Sequence, residues 1–163
     1  MFSRPVSRAI GVTVHMRPII IRPSTLVSPI RLPSSTMAQS TISSVHTNKA
    51  YAPFAHYSQA IKTGNQVYLS GQIPADVEGN LIKGSTVEKT EAIIKNTEAI
   101  LKEAGSGLDR VVKVVVYVKD ARIMPDFTSV YDPVFPHRPA RSMVEVSNLP
   151  AGVDIQVDFI AVI

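Results

Sequence analysis

The chain has 163 residues, contains no cysteine and carries a formal net charge of +4. The lack of cysteine excludes a disulfide framework, an iron–sulfur cluster, a cysteine-ligated zinc site and a thiol nucleophile. The charge is divided unevenly, since residues 1–75 contain seven Lys or Arg and no acid, whereas ten basic and all thirteen acidic residues follow. The first part is therefore +7 and the rest −3, so the basic character belongs to the N-terminus.

Residues 1–36 have the composition of an organelle-targeting sequence. They contain five arginines and six serines but no acid, which is typical of a mitochondrial transit peptide. A disordered basic extension without a targeting signal is the alternative, because five prolines exclude one long helix. We expect a transit sequence over 1–36, a linker over 37–45 and a folded domain over 46–163, located in the mitochondrial matrix. Met37 would provide an internal start for a cytosolic form.

The first elements of the folded domain are a hairpin and a long helix. Residues 66–70 have the composition of a strand, and residues 61–62 lie before the Gly-Asn turn that precedes it. This arrangement predicts a hairpin of two paired strands. Ser85 and Glu88 have the spacing of a capping box, and an apolar stripe at helical intervals follows them. This pattern predicts a core-facing helix over 85–104, ended by a glycine.

The second half of the domain supplies more strands and one short helix. Val111–Val118 is almost entirely β-branched, which predicts a strand buried on both faces. A short helix is expected over 126–132 and strands over 142–147 and 154–163, in the order β-β-α-β-α-β-β of an α+β domain. Two helices cover one face of a small sheet, so we expect a second copy of the chain to cover the other.

Several common functional signatures are missing from the sequence. The four histidines have no metal-ligand spacing, and neither a phosphate-binding glycine loop nor a hydrolase serine elbow occurs. No apolar run reaches the roughly 18 residues of a membrane span. Beyond residue 36 the chain has twelve basic and thirteen acidic residues, so no nucleic-acid partner is expected.

Arg141 is the strongest candidate for ligand binding on residue chemistry alone. It stands where a strand begins, just after Pro139, and alternation places it on the same face as Met143 and Glu145. A planar guanidinium with paired donors suits a carboxylate ligand. A structural ion pair is the alternative role.

Two separated motifs carry a family resemblance. Ser70-Gly71-Gln72-Ile73-Pro74 and Pro139-Ala140-Arg141-Ser142-x-Val144-Glu145-Val146 resemble the reactive intermediate deaminase family, also called Rid or YjgF-like. The resemblance covers about residues 44–163. Further matches occur in the family's order; they are Tyr57-Ser58-Gln59, the strand through Tyr117 to Asp120, Val130-Tyr131 and Leu149-Pro150.

The resemblance implies a fold, an assembly and a reaction. The fold would be chorismate-mutase-like, with a mixed sheet against two helices, and three copies would form a homotrimer with sites in the clefts between subunits. Members with the matching arginine hydrolyse 2-imino acids such as 2-iminobutanoate and 2-iminopropanoate, which pyridoxal-phosphate-dependent dehydratases release. The products are 2-keto acids and ammonia, and no cofactor is needed.

The same resemblance assigns roles to individual residues. Arg141 would clamp the substrate carboxylate, while Tyr57, Ser70 and the backbone of Gly71 would line the pocket. Met143 would lie on the substrate side, where several relatives have Cys or Thr. Without the resemblance, Tyr57 and Ser70 would be interpreted as structural.

Two positions depart from the family pattern. Gln156 stands where we place the family's water-activating Glu on the final strand, and Thr128 stands where its second helix has Asn. By these positions the resemblance makes Gln156 a catalytic candidate beside Arg141, and Thr128 a substrate-binding candidate. Gln156 lies between Asp154 and Asp158 on one strand face, and an amide can orient water but cannot take its proton at neutral pH. The alternatives to a deaminase are therefore a non-catalytic trimer that binds small carboxylates, a chaperone-like or regulatory trimer, and RNA cleavage, which the near-neutral domain disfavours.

Overall fold

The structure is a computed structural model that describes residues 41–163; the leader expected over 1–36 lies outside the described residues. The described part contains a six-stranded mixed sheet and two helices. The strands are β1 (Ile42–Val45), β2 (Ala60–Thr63), β3 (Gln66–Leu69), β4 (Val111–Val118), β5 (Ala140–Glu145) and β6 (Ile155–Val162), and the helices are α1 (Thr86–Glu103) and α2 (Met124–Val134). The predicted α+β class, with a mixed sheet packed against two helices, is confirmed.

The strand order across the sheet is β1-β2-β3-β6-β4-β5. All neighbouring strands are antiparallel except β4 and β5, which are parallel and joined through α2. A parallel pair requires a crossover connection of this kind, since its strands enter the sheet from the same end. The final strand β6 therefore lies in the middle of the sheet, between β3 and β4, and its outward-facing residues are held on a rigid element.

Helix α1 begins as its sequence predicts. The Ser85 hydroxyl accepts a hydrogen bond from the Glu88 N–H at 3.3 Å, and the Glu88 carboxylate accepts one from the Ser85 N–H at 2.7 Å. Both amides would otherwise lack partners at the helix start. The helix ends before Gly105, whose φ of +82° suits glycine.

The two faces of the sheet differ in their cover. On the face packed against the helices, alternate residues of β4 and β6 are buried; they include Val114, Val116, Val157 and Phe159. On the opposite face the intervening residues Lys113, Val115 and Tyr117 are only half-buried, and Val112, at an irregularity of the strand, is 43% exposed. A single copy therefore buries β4 on one face only, unlike the two-sided burial that its valines predict.

Several boundaries differ from the sequence prediction by two residues, among them those of β5, which spans Ala140–Glu145 instead of 142–147. Two differences have a local cause. Residues 42–45 fall inside the expected linker but form β1, which pairs with β2 from Ile42↔Thr63 to Val45↔Ala60. Their short polar sequence carries no alternation strong enough to predict a strand, and the neighbouring hairpin supplies the pairing. Helix α2 runs through Pro133 to Val134, because a proline in the last turn interrupts the hydrogen bonding only near the helix end. No helix among residues 41–163 is long and apolar enough to cross a membrane.

Candidate active site

Four of the seven predicted site residues surround one cavity of about 400 Å³ beside the end of β3. Tyr57, Ser70, Gly71 and Gln156 all line it. The other lining residues are mainly apolar and come from the loops before β2 and after β3 and from the turn before β6; they are Tyr51, Phe54, Ala55, Ile73, Pro150 and Ala151. The cavity has the size and mixed lining of a site for a small molecule.

The end of β3 presents Ser70 and Gly71 in a defined conformation. The Ser70 N–H donates to the Gln59 carbonyl at 3.0 Å, and its hydroxyl donates to the Ser58 carbonyl at 2.6 Å. The oxygen of that hydroxyl can still accept from a ligand. Within residues 41–163 the Gly71 N–H donates to no protein group, which leaves it as a backbone donor at the cavity wall.

Tyr51 fastens the backbone on both sides of Gln72. Its hydroxyl accepts a hydrogen bond from the Ile73 N–H at 3.1 Å and approaches the Gly71 carbonyl at 3.5 Å. Burial raises the pKa of Tyr51 to about 12, so the phenol stays protonated and keeps its donor. Gln59 is buried and bonds to the Tyr51 carbonyl at 2.9 Å. Sequence reasoning did not single out Tyr51, because its loop has no periodic pattern.

Tyr57 and Phe54 form the aromatic rim of the same cavity. The Tyr57 side chain is 44% exposed, and its hydroxyl accepts a hydrogen bond from the Phe54 N–H at 3.1 Å. The Phe54 ring stacks on Tyr51 with 5.3 Å between centroids. The phenol of Tyr57 is therefore oriented by the backbone of its own loop while its ring remains accessible.

Gln156 and Asp158 project from β6 on the face away from the helices. Their register partners on β4 are Tyr117 and Val115. The Gln156 amide lies 3.5 Å from the Asp158 carboxylate. Burial raises the pKa of Asp158 above its ordinary value, against the opposing hydrogen bonds from Tyr117 and Gln156. Asp158 is the functional candidate that the residue assignment missed, although strand alternation already placed it beside Gln156.

Gly71 touches both of these side chains. A Cβ built on Gly71 would lie 2.4 Å from Nε2 of Gln156 and 3.1 Å from Oδ1 of Asp158. The absence of a side chain at position 71 thus leaves room for the Gln156 amide at the cavity wall. Asp158 does not itself line the cavity; it lies next to two residues that do, Gly71 and Gln156. Asp154 is not part of this group, since its carboxylate pairs with Lys89 of α1 at 2.6 Å.

Arg141 lines a different cavity, of about 690 Å³, between β5 and the end of α2. The carbon at the centre of its guanidinium lies 4.9 Å from the ring centroid of Tyr131, a cation–π arrangement. Its Nη1 lies 3.6 Å from Oδ1 of Asp132. Arg138 lines the same cavity. The charged end of Arg141 is therefore held against α2 while its donors face open space.

Arg141 and Gln156 emerge from opposite faces of the sheet. Arg141 is the neighbour of Val114, which is buried under the helices, whereas Asp158 is the neighbour of the outward-facing Val115. A single copy therefore does not bring the guanidinium to the cavity of Ser70 and Gly71. Within one chain, the predicted residues form two separate half-sites.

The remaining two predicted residues lie outside both cavities. Met143 is 43% exposed on the edge strand β5, next to Val116. The Thr128 hydroxyl donates to the Pro125 carbonyl of its own helix at 3.0 Å. Among residues 41–163 no three His, Asp or Glu side chains lie close enough to hold a metal ion. The polar groups at or next to the two cavities are hydroxyls, an amide, the carboxyl groups of Asp132 and Asp158, and two guanidinium groups, which suit carboxylate binding and proton transfer.

Comparison with known proteins places this arrangement in one family. The family described as endoribonuclease L-PSP matches residues 47–163. A RutC family protein of Pyrococcus abyssi is 47% identical over 119 residues, which cover 72% of this chain and 94% of that protein. The protein MMF1, mitochondrial, of Saccharomyces cerevisiae is 44% identical over 123 residues, which cover 75% of this chain and 85% of that protein.

Solved structures agree with the sequence relatives. The crystal structure of yeast Mmf1 superimposes with a TM-score of 0.73 at 44% identity, covering 75% of this chain and 98% of the yeast chain. Escherichia coli TdcF, whose structure contains bound serine, gives a TM-score of 0.70 at 27% identity, covering 74% of this chain and 98% of that one. The chain therefore belongs to the endoribonuclease L-PSP family, which is the YjgF, RutC or Rid family.

Proposed function

We propose that this protein is a 2-imino acid deaminase. It hydrolyses reactive imines such as 2-iminobutanoate and 2-iminopropanoate, released by pyridoxal-phosphate-dependent dehydratases, to 2-keto acids and ammonia. Membership of the Rid family supports a reactive-intermediate deaminase in general. The observation that carries the proposal for this chain is the half-buried Asp158 carboxyl, which lies against Gly71 and Gln156, two residues that line a cavity of small-molecule size.

The proposed site needs two copies of the chain. The half-site of Arg141 and that of Ser70 lie on opposite faces of one sheet, so one copy would supply the guanidinium and its neighbour the cavity. The exposed side chains of Tyr68, Val112 and Val144, each more than 40% exposed, favour such an assembly because apolar surface is costly to leave in water. A homotrimer with three sites between subunits is the assembly that we propose.

Arg141 recognises the substrate carboxylate in this scheme. Its guanidinium can form two parallel hydrogen bonds to a carboxylate, an arrangement that lysine cannot reproduce. The ring of Tyr131 restricts the guanidinium before substrate arrives. The bound serine in the TdcF structure supports this assignment indirectly, since serine also carries a carboxylate.

Asp158 supplies the acid–base chemistry. Its carboxylate takes a proton from water as the water oxygen bonds to the imine carbon, and the two electrons of the C=N π bond move to nitrogen. Asp158 then returns that proton to the nitrogen, which completes the carbinolamine. In the second stage the carboxylate takes the hydroxyl proton and passes it to the nitrogen, an oxygen electron pair forms the C=O bond, and the C–N bond breaks to leave a 2-keto acid and ammonia. A raised pKa suits both steps, because the same carboxyl must accept and release a proton near neutral pH. Gln156 orients the water, so its departure from the family pattern leaves the chemistry possible.

Enzymatic ketoacid release tests the proposal. Protein lacking residues 1–36 is added to a threonine dehydratase reaction, and 2-oxobutanoate formation is followed against buffer alone. We expect acceleration by wild type, its loss in Arg141→Ala and only partial retention in Arg141→Lys. Arg110→Ala is the control, because Arg110 is also exposed but lines neither cavity. Equal rates for wild type and buffer would remove the deaminase proposal.

Two other functions have specific support and give distinct results. A non-catalytic carboxylate-binding trimer, favoured by the amide at position 156, would bind 2-keto acids through Arg141 without accelerating hydrolysis. An endoribonuclease, favoured by the family's description, would cleave RNA in a manner that Asp158→Asn or Arg141→Ala abolishes. The balance of twelve basic and thirteen acidic residues beyond residue 36 disfavours the second function.

We propose that the longer form of the protein acts in the mitochondrial matrix. The acid-free, arginine-rich leader and the mitochondrial relative MMF1 support this location. A cytosolic form would arise from Met37. The mass of the mature N-terminus in isolated mitochondria tests the location, and a protein that keeps residues 1–36 there would contradict cleavage of a transit sequence.

A further inference from the structure

We propose that Asp132 sets the affinity of the site for carboxylates by acting as a built-in competitor for Arg141. The inference rests on the proposed role of Arg141 as the carboxylate clamp. It concerns a residue that neither the sequence motifs nor the proposed chemistry uses. The competitor is the carboxylate that stands next to Tyr131 at the end of α2.

The contacts of Arg141 come from two consecutive residues of that helix. Tyr131 is buried, and its ring lies under the guanidinium at 4.9 Å. Asp132 is solvent-exposed, with its Oδ1 3.6 Å from Nη1 of Arg141. Tyr131 therefore restricts the position of the guanidinium, whereas Asp132 balances its charge.

The pairing of Asp132 with Arg141 is a charge contact. At 3.6 Å the two atoms are too far apart for a good hydrogen bond. The N–H donors of Arg141 therefore remain free for a ligand, while the negative charge of Asp132 remains close by. An incoming carboxylate gains the donors but must share the positive charge of the guanidinium with Asp132. The guanidinium accordingly binds small carboxylates less tightly than it would alone.

This arrangement affects substrate and product alike. The 2-imino acid and the 2-keto acid carry the same carboxylate, and in the proposed site Asp132 acts on that carboxylate through Arg141, which holds it in substrate, transition state and product alike. Removing its charge should stabilise the bound ground state and the transition state equally, which lowers KM and leaves kcat unchanged. Exposed ion pairs contribute little, so the expected gain in affinity is about two- to fivefold.

The test is binding of 2-oxobutanoate, a stable product that needs no turnover. Its Kd is measured by titration calorimetry for wild type, Asp132→Asn and Asp126→Asn. The last variant is the matched control, because it removes an exposed negative charge from the same helix at a position away from Arg141. We expect Asp132→Asn to lower the Kd of 2-oxobutanoate about two- to fivefold, and Asp126→Asn to leave it unchanged.

A second measurement ties the effect to the guanidinium. In an Arg141→Ala background, Asp132→Asn should change the Kd no further, since the guanidinium for which Asp132 and the ligand compete is no longer present. The inference is overturned if Asp132→Asn binds 2-oxobutanoate no more tightly than wild type does. It is equally overturned if neither protein binds 2-oxobutanoate. It is also overturned if the gain persists without Arg141 or if Asp126→Asn gives the same gain. Absence of hydrolysis by all proteins, with these affinities as expected, would instead remove only the deaminase proposal.

Discussion

Replacing Gly71 with alanine tests the proposed juxtaposition of backbone, amide and carboxyl most directly. Gly71 is not among the glycines with positive φ, so alanine can adopt its backbone conformation without strain. The only obstacle is space. The added Cβ would lie 2.4 Å from Nε2 and 2.6 Å from Cδ of Gln156, and 3.1 Å from Oδ1 of Asp158.

The expected losses of thermal stability and of activity follow from these distances. Non-bonded heavy atoms are comfortable at about 3.5 Å, so the Gln156 amide must withdraw by about 1 Å. Since this amide is the free end of a flexible side chain at a cavity, it can rotate at a cost of about 0.5–1.5 kcal/mol. The expected fall in Tm is then about 2–8 °C. Misplacing catalytic groups by about 1 Å can lower the rate about a hundredfold, so kcat/KM should fall by that factor.

The assay compares thermal unfolding and coupled imine hydrolysis for matched variants. Gly107→Ala is the steric control, because its Cβ would lie 2.5 Å from Oδ1 of Asp109, also the end of a side chain, and neither residue lines a cavity. It should lose comparable stability and keep full activity. In a Gln156→Ala background, Gly71→Ala should cause little further loss, since its main clash is gone.

Two results would refute this reasoning. Full activity of Gly71→Ala would mean that the position of the Gln156 amide beside Gly71 has no part in catalysis. Complete unfolding of Gly71→Ala would mean that the surroundings of Gly71 are rigid, contrary to the expected rotation of Gln156.

Two further predictions concern Asp158 and the start of α1. Asp158→Asn should lower kcat/KM about 10²- to 10⁴-fold. Because burial raises the pKa of Asp158, the folded protein binds its proton more readily than the unfolded chain, so the wild-type free energy of unfolding should fall as pH rises between the two pKa values. Urea denaturation across pH should show a weaker fall in Asp158→Asn, and an identical slope would contradict the assignment. Ser85→Ala should destabilise the protein by about 0.5–2 kcal/mol through loss of the cap without changing kcat/KM; an unchanged Cm in urea would show that the capping box adds no stability.

Local chemistry made much of the fold predictable. The Gly-Asn turn between β2 and β3 and the Ser85–Glu88 capping box depend on residues close in sequence, and both occur as predicted. The valines of β4 also form a strand as expected. Strand β1 could not be predicted in this way, because its pairing with β2 depends on a partner some twenty residues away.

The candidate site likewise has a part that the sequence predicts and a part that depends on contacts between distant residues. The motifs around Ser70 and Arg141 are visible in the sequence, and four of the predicted residues do surround one cavity. The roles of Tyr51 and Asp158 are less visible, because each depends on Gly71, which is distant along the chain and adjacent in space. The contact between Asp132 and Arg141 likewise depends on the packing of α2 against β5.

The sequence by itself determined the family, the two helices, most strands and four residues of the cavity wall, since these depend on local patterns and short motifs. Only the tertiary structure decided that Arg141 and Asp158 emerge from opposite faces of one sheet. The physical reason is strand alternation combined with the parallel pairing of β4 and β5, which places Arg141 beside the buried Val114 and Asp158 beside the outward Val115. The uneven charge of the chain then has two parts: a basic leader, and a near-neutral domain with Arg141 as its proposed carboxylate clamp.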